Sequence, residues 1–187
     1  MIVVKLGGSL VESDALLQCL DTVEQHYQHQ SVVIVPGGGG FANQVRQIQQ
    51  RWSFDDQTAH HMAILAMQQM ALLFKALKND FIIVHTLDVI QTHLKLKKTL
   101  IWSPDIEELD KAGIPATWDI TSDSLSAWLA KMLLATELIL VKSAIIDKTL
   151  SIEELTAKNI VDPAFFDFVT QASFRLQILG KDNFNKR

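Results

Sequence analysis

The sequence predicts an α/β protein, a three-layer α/β/α sandwich with an open, mainly parallel central sheet. Two observations carry this expectation. Short runs that are apolar throughout, such as Ile2-Val3-Val4 and Val32-Val33-Ile34-Val35, read as strands buried on both faces, the pattern of parallel sheets. Between such runs lie stretches with apolar residues at helical spacing, so that strands and helices alternate. With 187 residues, 48% hydrophobic and 20% charged, the chain is expected to form one domain over residues 1–187.

Taken in order, the first strand is expected near residues 1–6 and runs into Gly7-Gly8-Ser9. A helix over 12–29 follows, carrying Leu16, Leu17, Cys19, Leu20 and Val23. The second strand, near 31–36, runs into four consecutive glycines, Gly37 to Gly40. Helices are expected over 40–51 and 56–78, the latter with Met62, Leu65, Met67, Met70, Leu73 and Phe74 at core spacing. Strands near 81–85 and 99–102 flank a helix over 86–94, and Ser103-Pro104 opens a helix over 104–112. A strand near 115–118 leads to Thr121-Ser122 and a helix over 122–135. The remainder reads as a strand near 137–142, a broken helical pair at 151–157 and 162–171, a strand near 174–180, and a polar end, Lys181 to Arg187, expected to fray.

Composition narrows the function. A net charge of −4 offers no footprint for nucleic acid, and the cluster Lys95, Lys97 and Lys98 reads as a solvated face. The lone Cys19 cannot form an intrachain disulfide and reads as a structural thiol of a cytoplasmic protein. Met1 to Leu10 is apolar but lacks a basic leader and is far shorter than a membrane span, so neither a targeting segment nor a membrane partner is expected. The histidines show no ligand spacing with cysteines or acidic residues, so no dedicated metal site is expected.

Chemistry gathers at the two glycine runs. Each ends a buried strand in a segment without Cβ atoms, where backbone N–H groups can turn toward one anion and a following helix adds its positive end. Lys5 supplies a mobile charge beside them, suited to a phosphoryl group in transfer. Gly7-Gly8-Ser9 alone would serve equally as a tight turn. Four glycines together are harder to account for without close backbone approach to a ligand. Neither run is a Walker A loop, and the dinucleotide fingerprint fails for want of a third glycine and an acidic residue closing the next strand. Asp123 falls in the first turn of a helix, where the macrodipole favours a carboxylate; it reads either as a helix-start residue or as the group that aims Lys5.

Val3-Val4-Lys5-Leu6-Gly7-Gly8-Ser9, Pro36-Gly37-Gly38-Gly39-Gly40-Phe41-Ala42 and Thr121-Ser122-Asp123-Ser124-Leu125 resemble, in order, motifs of the amino acid kinase superfamily, which includes acetylglutamate, aspartate, uridylate and isopentenyl phosphate kinases. The resemblance implies ATP and Mg²⁺ as cofactors, a small acid or phosphate ester as acceptor, and a homo-oligomer, at least a dimer, with the 56–78 helix as a candidate seam. It makes Lys5 the lysine that stabilises the transferring group and Asp123 the aspartate that organises the lysines. Gly7, Gly8 and Ser9 become a phosphate-cradling turn, and Gly37, Gly38, Gly39 and Gly40 a second phosphate loop. Relatives often carry Thr-Asp-Val-x-Gly after the next strand, where this chain reads Leu140-Val141-Lys142-Ser143-Ala144-Ile145-Ile146-Asp147. Lys142 there is either a second cation for the ATP phosphates or a surface lysine.

Ala59-His60-His61-Met62-Ala63-Ile64-Leu65-Ala66-Met67 and Ile160-Val161-Asp162 resemble a short subgroup that contains a phosphate kinase of methanofuran biosynthesis. That likeness implies an acceptor that is itself a phosphate, with Arg46 and Asn43 as candidate contacts and Asp119 as a partner for a substrate ammonium. The competing readings are a solvated helix residue for Arg46, a turn residue for Asp119, and, for the whole chain, a non-catalytic binding protein or a carboxylate kinase.

Overall fold

The computed structural model describes residues 1–186. Its sheet is built from β1 (Ile2–Leu6), β2 (Val32–Pro36), β3 (Ile82–Val84), β4 (Thr99–Trp102), β5 (Glu137–Lys142) and β6 (Arg175–Gly180), in the order β3-β4-β2-β1-β5-β6, every pair parallel. Around it lie α1 (Ala15–His26), α2 (Gly39–Trp52), α3 (Asp56–Leu77), α4 (Leu87–Leu94), α5 (Ile106–Lys111), α6 (Ser122–Met132), α7 (Ile152–Ala157), α8 (Phe165–Val169) and α9 (Lys181–Phe184). β1 and β2 are buried at every position, as strands covered on both faces must be.

The period-two alternation of the strands divides the core. Val3, Val33, Val35, Leu138 and Leu140 face one layer with Leu125, Leu129 and Ala130 of α6. Val4, Leu6, Ile34, Ile139 and Val141 face the other, with Leu16, Cys19, Leu20 and Val23 of α1. The helix α3 serves both, giving Ile64 and Met67 to the first and Met70, Ala71 and Phe74 to the second. Its Leu65, expected at a core position, is exposed.

Lys5 shares the face of Val3, the face that α6 covers. Because Lys5 pairs in register with Leu140, Lys142 lies two residues further on the same face of the adjacent strand. The connections from β1 and β5 leave toward opposite edges of the sheet, which makes the carboxyl ends of these two strands a topological switch point.

Several expected boundaries move, each for a local reason. No strand forms at 115–118: Pro115 has no amide to donate, and the segment runs instead over the carboxyl rim of the sheet. The 12–29 helix is split into a 3-10 turn at Gly8–Glu12 and α1, with an extended Ser13 between them. Helix α6 stops at Met132, and Leu134 takes a left-handed φ of 52°. The helix expected over 162–171 is only α8, because Pro163 precedes it and the Asp162 side chain is engaged elsewhere. The end expected to fray carries α9, whose Phe184 is fully buried in the α1 layer; Arg187 lies outside the described residues.

Candidate active site

Three charged side chains meet at the switch point. Lys5 Nζ lies 2.7 Å from Asp123 Oδ1, and Lys142 Nζ donates to Asp123 Oδ2 at 2.6 Å. Lys5 and Asp123 are each only 4% exposed. A carboxylate so buried would by itself resist ionisation, but the two ammonium groups hold the Asp123 carboxyl below its ordinary value. Burial, reinforced by the like charge of Lys5, pushes Lys142 down to about 8 despite the attraction of Asp123. Lys142 is therefore not a surface lysine. The cluster Lys5⁺, Asp123⁻, Lys142⁺ carries one net positive charge in a poorly hydrated place, suited to meeting an anion.

Asp123 reaches the lysines because Thr121 caps α6, its side chain accepting from the Asp123 amide, which puts the carboxylate in the first turn. The two glycine loops cross directly beside this cluster. A Cβ on Gly8 would sit 2.2 Å from the Gly39 backbone nitrogen, and one on Gly37 would sit 2.5 Å from that of Gly8. Gly39 has φ +55°. Only glycine permits that crossing and that angle together. Ser9 Oγ bridges to Ser143 Oγ at 2.8 Å, tying the first loop to the segment after β5.

The structure separates the glycines that sequence reasoning had grouped. The Gly7 amide donates to Val141 O and the Gly37 amide to Leu6 O, both at 2.9 Å, so these two amides are spent on the scaffold and cannot cradle a phosphate. Gly40 is exposed, is not part of the cavity wall, and would have open space around a Cβ, so glycine is not required there. Gly8, Ser9, Gly38 and Gly39 line the cavity, as does Gly37 despite its spent amide, next to the N-terminus of α2, whose first-turn amides have no intrahelical acceptors.

That cavity, about 260 Å³, lies between the glycine crossing, α2, α3 and the rim segment 117–122. Arg46 and Asn43 line it as expected, and the Arg46 guanidinium stacks 4.5 Å above the Trp118 ring. Asp119 does not line it: the residue is exposed and outside the wall, and its backbone carbonyl accepts from the Ala164 amide. Carboxylates do reach the wall, from Glu12 and Asp56. His60 lines it too, 7% exposed, with Nε2 buried and without a hydrogen-bond partner. Burial and the adjacent His61 lower its pKa, so the ring is neutral at physiological pH.

Sequence reasoning missed Glu12, Asp56, His60 and Trp118 because no local pattern marks them; they converge from three separate places, the 3-10 turn after β1, the start of α3 and the rim segment. Cys19 is fully buried, and desolvation pushes its thiol up to about 11, as befits a packing residue. Among the described residues no group of three or more His, Cys, Asp and Glu side chains is placed to hold a metal ion, and no helix is long and apolar enough to cross a membrane.

Residues 1–144 match the Amino acid kinase family. Over 147 residues the chain is 31% identical to a (5-(aminomethyl)furan-3-yl)methyl phosphate kinase of Methanocaldococcus jannaschii, a match covering 75% of this chain and 64% of that protein, so it spans less than two thirds of the relative's length. The backbone resembles the uridylate kinase of Archaeoglobus fulgidus, with TM-score 0.77 at 18% identity over 99% of this chain and 94% of that one. It also resembles an aspartate kinase from Synechocystis, with TM-score 0.72 at 16% identity over 97% of this chain and 38% of that one. At such identities the structural likeness is one of fold.

Proposed function

The chain belongs to the amino acid kinase family, and we propose that it transfers the γ-phosphoryl group of Mg·ATP to a small phosphate ester bearing a ring and an ammonium group. The observation that carries this reading is the buried carboxylate of Asp123 held between Lys5 and Lys142 beside the glycine crossing. In this reading Asp123 keeps both ammonium groups aimed at one point, where charge spreads over the transferring oxygens. The acceptor phosphate is already ionised, so no general base is needed, and positioning does most of the work. Mg²⁺ bound with the nucleotide would neutralise part of the phosphate charge, the two lysines meeting the remainder.

The cavity supports the acceptor class. Arg46, braced on Trp118, presents a fork suited to a phosphate, while the carboxylates of Glu12 and Asp56 suit an ammonium. Ile64, Met67 and Leu125 supply apolar wall for a small ring. The similarity to an aminomethylfuran-methyl phosphate kinase points to the same class.

A coupled assay of ADP release with Mg·ATP tests this, run against aminomethylfuran-methyl phosphate, isopentenyl phosphate, uridylate, simple phosphate esters, acetylglutamate and aspartate. Turnover on a phosphate ester that falls at least ~100-fold in Lys5→Ala is the expected result, the scale of losing one charge-stabilising donor. Hydroxylamine trapping of an acyl phosphate would instead make it a carboxylate kinase. ATP binding with no transfer to any acceptor would make it a binding protein on this fold.

A further inference from the structure

Asp162 is a second buried carboxylate close to the lysine cluster, and it lies beyond residues 1–144 matched by the family. It is 7% exposed and fully occupied. Its Oδ2 accepts from the Thr121 amide and the Thr121 hydroxyl, each at 2.8 Å, and from the Ser124 amide at 3.1 Å, while Oδ1 accepts from the Ser124 hydroxyl. These donors flank Asp123 on both sides. The Thr121 hydroxyl, its proton committed to Asp162, presents its remaining lone pair to the Asp123 amide at 3.4 Å. The Asp162 backbone also closes the turn into α8 by accepting from Phe165 N at 3.1 Å, so the side chain comes from an anchored loop.

We propose that Asp162 is the positioning residue of the phosphoryl-transfer site, clamping the first turn of α6 so that Asp123 is held between Lys5 and Lys142. This rests on the kinase reading above. The clamp acts through Asp123 and touches no substrate. Its chemistry fits the task. Four donors converging on one buried carboxylate are charge-assisted hydrogen bonds, stronger and more directional than a hydroxyl cap alone would make. The helix dipole at the α6 N-terminus adds to the attraction for both carboxylates. Asp162 also supplies a second negative charge to a cluster of one buried and one half-buried lysine; the charged groups that act on Lys142 are Lys5, Asp123 and Asp162.

Two variants separate the clamp from plain structural support. Asp162→Ala removes every acceptor. Asp162→Asn keeps one oxygen for the two amides and removes the charge. The first measurement needs no turnover: the Lys142 ammonium is titrated by NMR in ¹³C-lysine-labelled, unliganded protein, with Lys142→Arg for assignment. The expected result is a titration of Lys142 moved to lower pH in Asp162→Asn, because an attractive anion has been withdrawn. The second is kinetic, with kcat falling about 10- to 100-fold in Asp162→Ala and less in Asp162→Asn, the scale of a misplaced catalytic group. Variants that only melt earlier, with the Lys142 titration and the kcat of the folded fraction unchanged, overturn the proposal. Wild-type protein with no Lys5-dependent transfer overturns the kinase reading instead, and the NMR arm still decides whether Asp162 governs the lysine cluster.

Discussion

Lys142 titrates in a range that a kinase assay can read. Burial and the neighbouring Lys5 push its pKa down from 10.5 to about 8, against Asp123 and Asp162. If the charged form serves the reaction, kcat/KM for Mg·ATP holds a plateau below pH 8 and falls above it, to roughly a tenth at pH 9. kcat breaks at higher pH, since bound nucleotide phosphates favour the ammonium. Lys142→Met should be slow at all pH values and lack this alkaline limb. Stability carries the same signature with a definite sign. The folded-state pKa lies below the unfolded one, so between about pH 8 and 10.5 the unfolded chain binds more protons, and this contribution to stability rises with pH by of order 3 kcal/mol. The Cys19 thiol, raised to about 11 by burial, acts oppositely from pH 9 upward, because the unfolded chain loses that proton first. Urea titrations in a Cys19→Ala background between pH 7 and 10 isolate the Lys142 term. A kcat/KM profile flat to pH 9.5, or one whose limb survives in Lys142→Met, refutes the reasoning.

Gly8→Ala forces a Cβ to within 2.2 Å of Gly39 nitrogen and 2.5 Å of Gly39 Cα, both backbone atoms that cannot swing aside. Overpacking of this kind costs about 1–3 kcal/mol, which for a domain of this size lowers the melting temperature by about 2–12 °C. Gly40→Ala, with open space around its Cβ, should stay within about 1 kcal/mol of wild type in the same thermal scan, and equal behaviour of the two variants would contradict the crossing. Arg46→Ala should raise the acceptor KM at least ~10-fold, as loss of a charged hydrogen bond of about 1.5–3 kcal/mol implies, while the KM for ATP stays constant. A change confined to ATP would place Arg46 on the nucleotide side.

The sheet and its flanking helices were legible because their signals are local. Apolar runs such as Val32 to Val35 state burial on both faces, and helical spacing states a covered face, without knowledge of what covers it. The glycine runs were legible as backbone chemistry, yet their division of labour was not. Whether an amide is free or spent depends on the carbonyl across from it, as Val141 is for Gly7 and Leu6 for Gly37. The strand expected at 115–118 failed for a related reason: Pro115 cannot donate to a ladder, and in the fold Thr117 and Trp118 line the cavity.

By itself, then, the sequence determined the α/β architecture, the parallel sense of the strands and the glycine-lined ends of β1 and β2, with Lys5 near the first of them. These follow from period, composition and residue type over a few neighbouring positions. Only the tertiary structure decided that Lys142 is paired with Asp123 rather than solvated, that Glu12 and Asp56, not Asp119, line the cavity, and that Asp162 accepts from Thr121 from 41 positions away. Charges and hydrogen bonds act over a few ångströms, and in a parallel sheet joined by crossovers, groups that close are often far apart along the chain.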